Sequence, residues 1–395
     1  MSSNRAVDRQ DVVVVGGGIG GLAAALALRL QGQSVRLLER AAEFGEVGAG
    51  LQLAPNATRI LREWGVLDQV LAAGVEPHRL VLRDAVSGDE LTHLDLDDEF
   101  RTRFGAPYVV VHRSDLHRIL VDACRDAGVL LETNCHVERV ESTDDTAFTY
   151  CAGGRVLESH VALGVDGLNS TLRDGIVGDQ PVASGYVAYR GAVAVEEMPA
   201  EVNLDEVVAW IGPTCHLVQY ALRQRQMVNQ VAVFRSPAFD RGESDWGGPE
   251  ELDDAFRNCC EPVRNGLASL WRDRRWQMHD REPVDNWISG RLLLLGDAAH
   301  PVLQYLAQGA CQALEDAATI AREASEHNND WPTALQATQQ ARIPRTARVQ
   351  RNARTWGDIW HIDGVGRLLR NELLTNRDPH DYTHIDWLYT ARETE

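Results

Sequence analysis

Three acidic residues stand where the chain leaves an apolar run, and their neighbours suggest what they bind. Glu39 closes Val35-Arg36-Leu37-Leu38 and is followed by Arg40. Asp166-Gly167 follows the run from Val156 to Val165, with Arg173 a few residues on. Asp297 follows Leu292 to Leu295 and Gly296, and leads into Ala298-Ala299-His300-Pro301. A carboxylate at a strand end can accept hydrogen bonds from sugar hydroxyls, while a helix opening nearby offers N–H groups to phosphate. Ahead of the first acid, Val12-Val13-Val14-Val15 runs into Gly16-x-Gly18-x-x-Gly21. Glu39 lies 21 residues after Gly18, the spacing of an acid that grips a ribose hydroxyl pair.

The elements that must position these residues follow from local pattern. Four valines make a buried parallel strand, and the glycines allow a tight turn that brings backbone close to a pyrophosphate. The following helix, apolar along Leu22, Leu26 and Leu30, points its positive N-terminus at those phosphates. Val12 to Leu28 is uncharged, as a secretory leader would be, but its five glycines and the returning strand argue against that. The same glycines make a poor membrane span. This motif alone does not separate NAD from FAD. Asp297, by contrast, is placed to hold a ribitol chain, and a helix opening at Gly309-Ala310 would aim N–H groups at the pyrimidine end of a flavin. Taken singly, Asp297 is equally a helix cap, Asp166-Gly167 a turn and Arg113 a surface ion-pair residue. In this order and spacing the three pieces point to FAD, held along its length and, with no linkage signal, non-covalently.

Composition narrows the function classes. The 395 residues suffice for two or three domains, with 44% hydrophobic and 25% charged residues. A net charge of −19 makes nucleic acid or an anionic membrane an unsuitable partner, and an anionic substrate would need local positive potential. All 39 basic residues are arginine. The absence of lysine excludes a Schiff-base lysine, a lysine nucleophile and a P-loop ATPase. Seven scattered cysteines show no metal-ligand spacing, so no metal is expected. Cys259-Cys260 and Cys311 read as packing thiols. With no transmembrane segment, a cytoplasmic location is expected.

The expected fold is α/β: a Rossmann-like FAD-binding domain with an inserted β-sheet substrate domain and C-terminal helices. Residues 1–80, 107–180 and 286–375 are assigned to the discontinuous FAD domain, 81–106 and 181–285 to the substrate domain, and 376–395 to a tail. Phe44 to Ala57 reads as a glycine-rich loop entering a helix that runs to about Leu71. Val81 to Leu96 reads as a strand pair turning at Ser87-Gly88-Asp89. Val109 to His112 is a strand ending at Arg113, with Ser114 capping a helix through Cys124. Tyr186 to Phe234 has the period of antiparallel strands, Glu250 to Leu270 that of a helix, and helices run from Gly309 to about Leu374.

With these motifs in hand, the chain resembles the single-component (group A) flavin-dependent aromatic hydroxylases of the salicylate hydroxylase type. The likeness runs from Val12 to about Asp316. It implies that the first motif binds the ADP part of FAD, that Asp166-Gly167 serves both FAD and the pyridine nucleotide, and that Asp297 holds the ribitol. The stretch Glu46 to Asn56 is similar to the family's loop beside the flavin ring. Arg40, Gln52, Arg113 and Ala310 match positions given to FAD, and Val137 a position at the adenine. Val165 departs from the alanine that often precedes the second motif's aspartate.

Within the family, Gln304 in the Gly296 to Ala307 stretch, where many relatives have proline, and Ile359 to Gly364 resemble the 3-hydroxybenzoate 6-hydroxylases. The resemblance implies NADH- and O2-dependent conversion of 3-hydroxybenzoate to 2,5-dihydroxybenzoate through a flavin C4a-hydroperoxide. A phenol attacks such an oxidant better after losing its proton. His216, Val218 and Tyr220 alternate along one strand and share a face. By themselves His216 and Tyr220 read as core residues; the resemblance makes His216 the proton acceptor, with Gln304 and Tyr220 orienting the substrate. Arg190, in Tyr189-Arg190-Gly191, gains no role from either line. Other readings are a salicylate or related phenolic-acid hydroxylase, an FAD oxidase or dehydrogenase, and a non-catalytic flavoprotein. Catechol from salicylate, no oxygenated product, or no NADH turnover would mark these three in turn. Oligomeric state is left open, a homodimer included.

Overall fold

The computed structural model describes residues 10–45, 48–198 and 202–390. Glu46 and Val47 of the flavin-side loop, and the ends of the first and last expected segments, lie outside the described residues.

An eight-stranded sheet gathers the three motifs at one edge. Its central strand, Gln10–Val15, lies parallel between Val35–Leu38 and Arg155–Gly164, and the latter pairs in parallel with Leu292–Leu294. Val15 stands opposite Leu38 and Gly164, and Gly164 opposite Leu294, so the chain leaves three of these strands directly into Gly16, Glu39 and Val165-Asp166. Leu294 runs through Leu295 into Gly296-Asp297 at the same end. Ligand sites of open α/β sheets lie at these carboxyl ends. The valines of the first strand are wholly buried at Val12 to Val14, because helix Ile19–Leu30 covers them and is covered in turn by Gly309–Glu326 and Arg113–Ala127.

A seven-stranded sheet stands apart, ordered Trp276–Asp280, Val182–Ala194, Met227–Arg235, Cys215–Leu222, Glu206–Gly212, Arg79–Asp84, Glu90–Asp95. The expected Val81 hairpin is present as its last two strands. The α/β architecture, with an FAD-domain sheet, a second sheet and helices at the C-terminal end, is as expected.

Several local expectations need correction. The strands between Tyr186 and Phe234 pair antiparallel as expected, while Glu206–Gly212 also pairs in parallel with Arg79–Asp84, the long excursion between them supplying the crossover that parallel pairing needs. Gly50–Leu53, expected as loop, is a strand paired with Val109–His112. The helix expected to reach Leu71 is two, Pro55–Glu63 and Leu67–Ala73, divided at Gly65, whose φ is +72°. His112, not Ser114, caps Arg113–Ala127, its side chain accepting from the Ser114 N–H. Glu250 to Leu270 is broken at Cys259-Cys260 into Pro249–Phe256 and Glu261–Gly266. The described part of the expected tail, residues 376–390, is not a simple tail: Thr383–Tyr389 is a helix whose Leu388 and Tyr389 are buried, with Tyr389 edge-on to Phe100 and Phe104. Aromatic packing across distant segments leaves little local periodicity to read.

Candidate active site

A cavity of about 900 Å³ reaches from the motif-bearing edge of the first sheet onto the face of the second. Gly18, Gln52, Arg113, Asp297, Gly309 and Ala310 line it among the expected cofactor residues, and His216, Tyr220 and Gln304 among the expected catalytic ones. Gly16, Gly21, Glu39, Arg40, Val137 and Asp166 are not in its walls. Gly16, Gly21 and Asp166 belong to the turns that carry its lining residues Gly18, Gly20, Val165 and Gly167.

The glycine turn is tight enough to need its glycines. A Cβ on Gly21 would sit 1.9 Å from the Gly16 carbonyl oxygen, and one on Gly16 would sit 2.3 Å from that of Val165. Glu39 accepts from the Gly17 N–H at 2.7 Å and from the Ala41 N–H at 2.7 Å, so its carboxylate stands beside the turn. Segment 134–135 donates backbone N–H groups to the carbonyls of Ala41 and Glu39, which brings Arg40 and Val137 to the same neighbourhood.

Buried charges hold the Asp297 turn from two sides. Arg173, fully buried, donates to the carbonyls of Ala298 (3.0 Å) and Ala299 (2.5 Å) while paired with Asp179. Asp316 accepts from the Gly296 N–H at 2.8 Å and meets His300 and Arg342, each at 2.6 Å. Although burial opposes ionisation, His300 and Arg342 bring the Asp316 carboxyl down to about 2. Asp316, His300 and Arg342 carry no local signal of this role.

The end of the cavity nearest these turns fits a long ligand with phosphate and hydroxyl groups. Neither Ile19–Leu30 nor Gly309–Glu326 has a side-chain cap or an acidic residue in its first turn, leaving N–H groups for an anion. Gly309 needs no special φ, and a Cβ there would find its nearest neighbour, Val302 Cγ1, 3.9 Å away. Neither packing nor backbone demands glycine at that position; it leaves space for something outside the chain. Asp166 Oδ2 accepts from the Thr171 N–H at 3.0 Å, whereas its buried Oδ1 has no partner. These features suit FAD.

At the other end the second sheet forms a floor of Val218, Val231, Ala209 and Leu82, which lie in one row across its strands. His216, 1% exposed, has its Nδ1 2.8 Å from Nε2 of His361, which leaves Nε2 as the ring nitrogen for a ligand. Burial, and then His361, hold its imidazole well below the usual histidine range, so it is neutral near pH 7. His361 is stacked on Tyr186 at 4.5 Å and brought down to about 3 by burial and Arg370. Tyr220 is buried with its phenol pushed up by desolvation, and fits because Gly50 lacks a Cβ, which would lie 2.6 Å from its hydroxyl. Gln304 sits in a short turn, Gln304–Leu306, ended by Ala307 at φ +52°. His361 has no foreseeable role from spacing: 145 residues separate it from its partner.

Among the described residues no group of three His, Cys, Asp or Glu is placed to hold a metal, and no helix is long and apolar enough to cross a membrane. The cysteines are free, and burial pushes the Cys311 thiol up to about 12, consistent with packing.

Residues 9–353 match the family described as "FAD binding domain". Over 382 residues the chain is 39% identical to the 3-hydroxybenzoate 6-hydroxylase of Polaromonas naphthalenivorans (strain CJ2), covering 96% of this chain and 95% of that one. The chain belongs to the FAD-dependent aromatic monooxygenases. This monooxygenase is also 37% identical to the 3-amino-4-hydroxybenzoate 2-monooxygenase of Streptomyces cremeus, over 97% of its own length and 96% of that protein's. Among solved structures, Klebsiella pneumoniae HpxO complexed with FAD and uric acid superposes with a TM-score of 0.82 at 25% identity, covering 95% of this chain and 94% of that one.

Proposed function

We propose that this monooxygenase hydroxylates 3-hydroxybenzoate para to its hydroxyl, giving 2,5-dihydroxybenzoate (gentisate), with NADH and O2 as co-substrates. The observation that carries this is a neutral imidazole, His216, beside the apolar row of Val218, Val231 and Ala209 in the cavity floor. The 3-hydroxybenzoate 6-hydroxylases among its relatives support the choice of substrate. An imidazole that is neutral at pH 7 keeps its Nε2 free to accept the hydrogen bond of the phenol hydroxyl, and its bond to His361 fixes the ring plane in which it does so. Gln304 and Tyr220 orient the ring from the remaining walls.

Bound non-covalently, the flavin would carry electrons from NADH and present activated oxygen to the ring. Gly16, Gly18 and Gly21 would face its pyrophosphate, and Glu39, Arg40 and Val137 its adenosine end. Asp166 would meet the junction of the motifs, Asp297 the ribitol, and Gly309-Ala310 with Gln52 and Arg113 the ring system. On this reading 1–80, 107–180 and 286–375 act as the cofactor domain, with 81–106 and 181–285 supplying the ring pocket.

A panel of phenolic acids, each assayed for NADH consumption and product identity, tests the reading. Gentisate from 3-hydroxybenzoate, with NADPH poorer than NADH, is expected. Catechol from salicylate as the principal product would replace the substrate, and hydrogen peroxide without any hydroxylated product would remove the hydroxylase role.

A further inference from the structure

We infer that Arg190 is the anchor for the substrate's carboxylate. The inference rests on the reading of the substrate as an aromatic carboxylate and adds the group that recognises its charge.

Arg190 shares the floor with the residues already described. It stands opposite Val231, which stands opposite Val218, and residues opposed across antiparallel strands share a face. Two strand spacings put Arg190 about 10 Å from Val218, and His216 lies about 7 Å further along its own strand. A ring resting on Val218 and Val231 therefore has a cation beyond one end of that row and a proton acceptor beside Val218, two residues along its strand. All four residues line the cavity.

The electrostatics single this arginine out. The buried arginines Arg36, Arg173, Arg281, Arg342 and Arg370 each meet a carboxylate. No carboxylate among the described residues pairs with Arg190: its guanidinium lies over the Trp276 ring, 5.1 Å from the centroid, and its Nε is buried without a partner. Burial lowers its pKa, the nearby Tyr220 opposes this, and Arg113 adds to it. A guanidinium stays charged nonetheless, so an unmatched cation is held in a desolvated place where an anion would be strongly favoured. In a chain of net charge −19 this supplies the local positive potential that an anionic substrate needs. Its planar fork suits bidentate binding of a carboxylate, whereas the hydroxyl of the same ring would be left to His216.

The test is calorimetric binding to the FAD-loaded protein, using 3-hydroxybenzoate and its uncharged amide, 3-hydroxybenzamide. The parent should bind the acid more tightly than the amide. Arg190→Gln should weaken the acid by about 10- to 100-fold while changing the amide little, and Arg190→Lys should recover part of the loss. Equal weakening of acid and amide, unchanged binding of the acid, or a parent that prefers the amide would each overturn the assignment. So would a selective loss of NADH affinity, which would give the cation to the nucleotide. Should Arg190→Gln lose its flavin, Arg190→Lys decides by the same ratio. If another aromatic acid binds the parent best, the 3-hydroxybenzoate reading falls and Arg190 is judged on that acid and its amide.

Discussion

At the Asp297 turn the backbone is clamped by buried charge, with Arg173 and Asp316 each engaged by two or more groups. Across the cavity, the floor is a sheet face where Val218, Val231 and Ala209 offer only shape, and single polar side chains rise from it. The first region fixes main chain for a ligand whose phosphates and hydroxyls are recognised by backbone and strand-end acids. The second leaves recognition to a few isolated side chains, so its chemistry can change with little cost to the fold. The relatives fit that contrast: proteins named for acting on 3-hydroxybenzoate and on 3-amino-4-hydroxybenzoate are each alike to this chain over nearly its whole length.

The largest effects should fall on the cofactor end. Gly21→Val would drive a branched side chain into the Gly16 carbonyl and should abolish flavin binding together with stable folding, read as flavin content and thermal midpoint. Asp316→Ala would leave Arg342 short of one carboxylate and His300 unpaired, for a loss of about 3–5 kcal/mol. Retention of flavin and stability in both variants would break the comparison at its root.

At the ring end, His216→Ala and Gln304→Ala should keep flavin but lower hydroxylation by about 10²–10⁴-fold, with more NADH consumed per product formed. A joint fall of stability and flavin content would mark these residues as structural instead. Rapid-mixing measurement of product per NADH separates the outcomes.

A smaller effect concerns pH. His361 has its folded pKa lowered from 6.5 to about 3, chiefly by burial. The unfolded chain gains that proton near pH 6.5 and the folded protein only near 3, so stability should fall as pH drops through this window. The slope is about 1.4 kcal/mol per pH unit for each such histidine. Denaturant unfolding at pH 7 and pH 5 should show His361→Gln losing less stability than the parent, by about 2 kcal/mol. Parallel losses would show that the buried pair already takes up protons when folded.

Smallest is Tyr220→Phe, which removes a hydroxyl but keeps the ring that fills the space at Gly50. A several-fold fall in hydroxylation at constant flavin content is expected, and no change in affinity or coupling would reduce Tyr220 to wall.

What could be read from residues divides along the same line. The glycine turn, Glu39 and Asp297 were legible because backbone geometry forces residue types at short spacing. The His216 face was legible from strand alternation, though its role needed a family likeness. His361, the Asp316 cluster and the Tyr389 helix were not, because their partners stand 145, 26 and nearly 300 residues away and exist only after folding. The parallel pairing of Glu206–Gly212 was hidden too, since alternation records which face is buried and not strand direction.

The first sheet has a consequence for how the protein is made. Arg155–Gly164 pairs on one side with Gln10–Val15 and on the other with Leu292–Leu294. A chain emerging from the ribosome completes the first pairing long before it can attempt the second. At roughly 5–20 residues per second, the 130 or so residues between them take about 6–26 s to appear. Throughout that interval an apolar strand edge waits without its neighbour, open to other nascent chains. The period of greatest aggregation risk is therefore the synthesis of the inserted sheet, and slowing translation there should lower yield more than slowing it after Leu294.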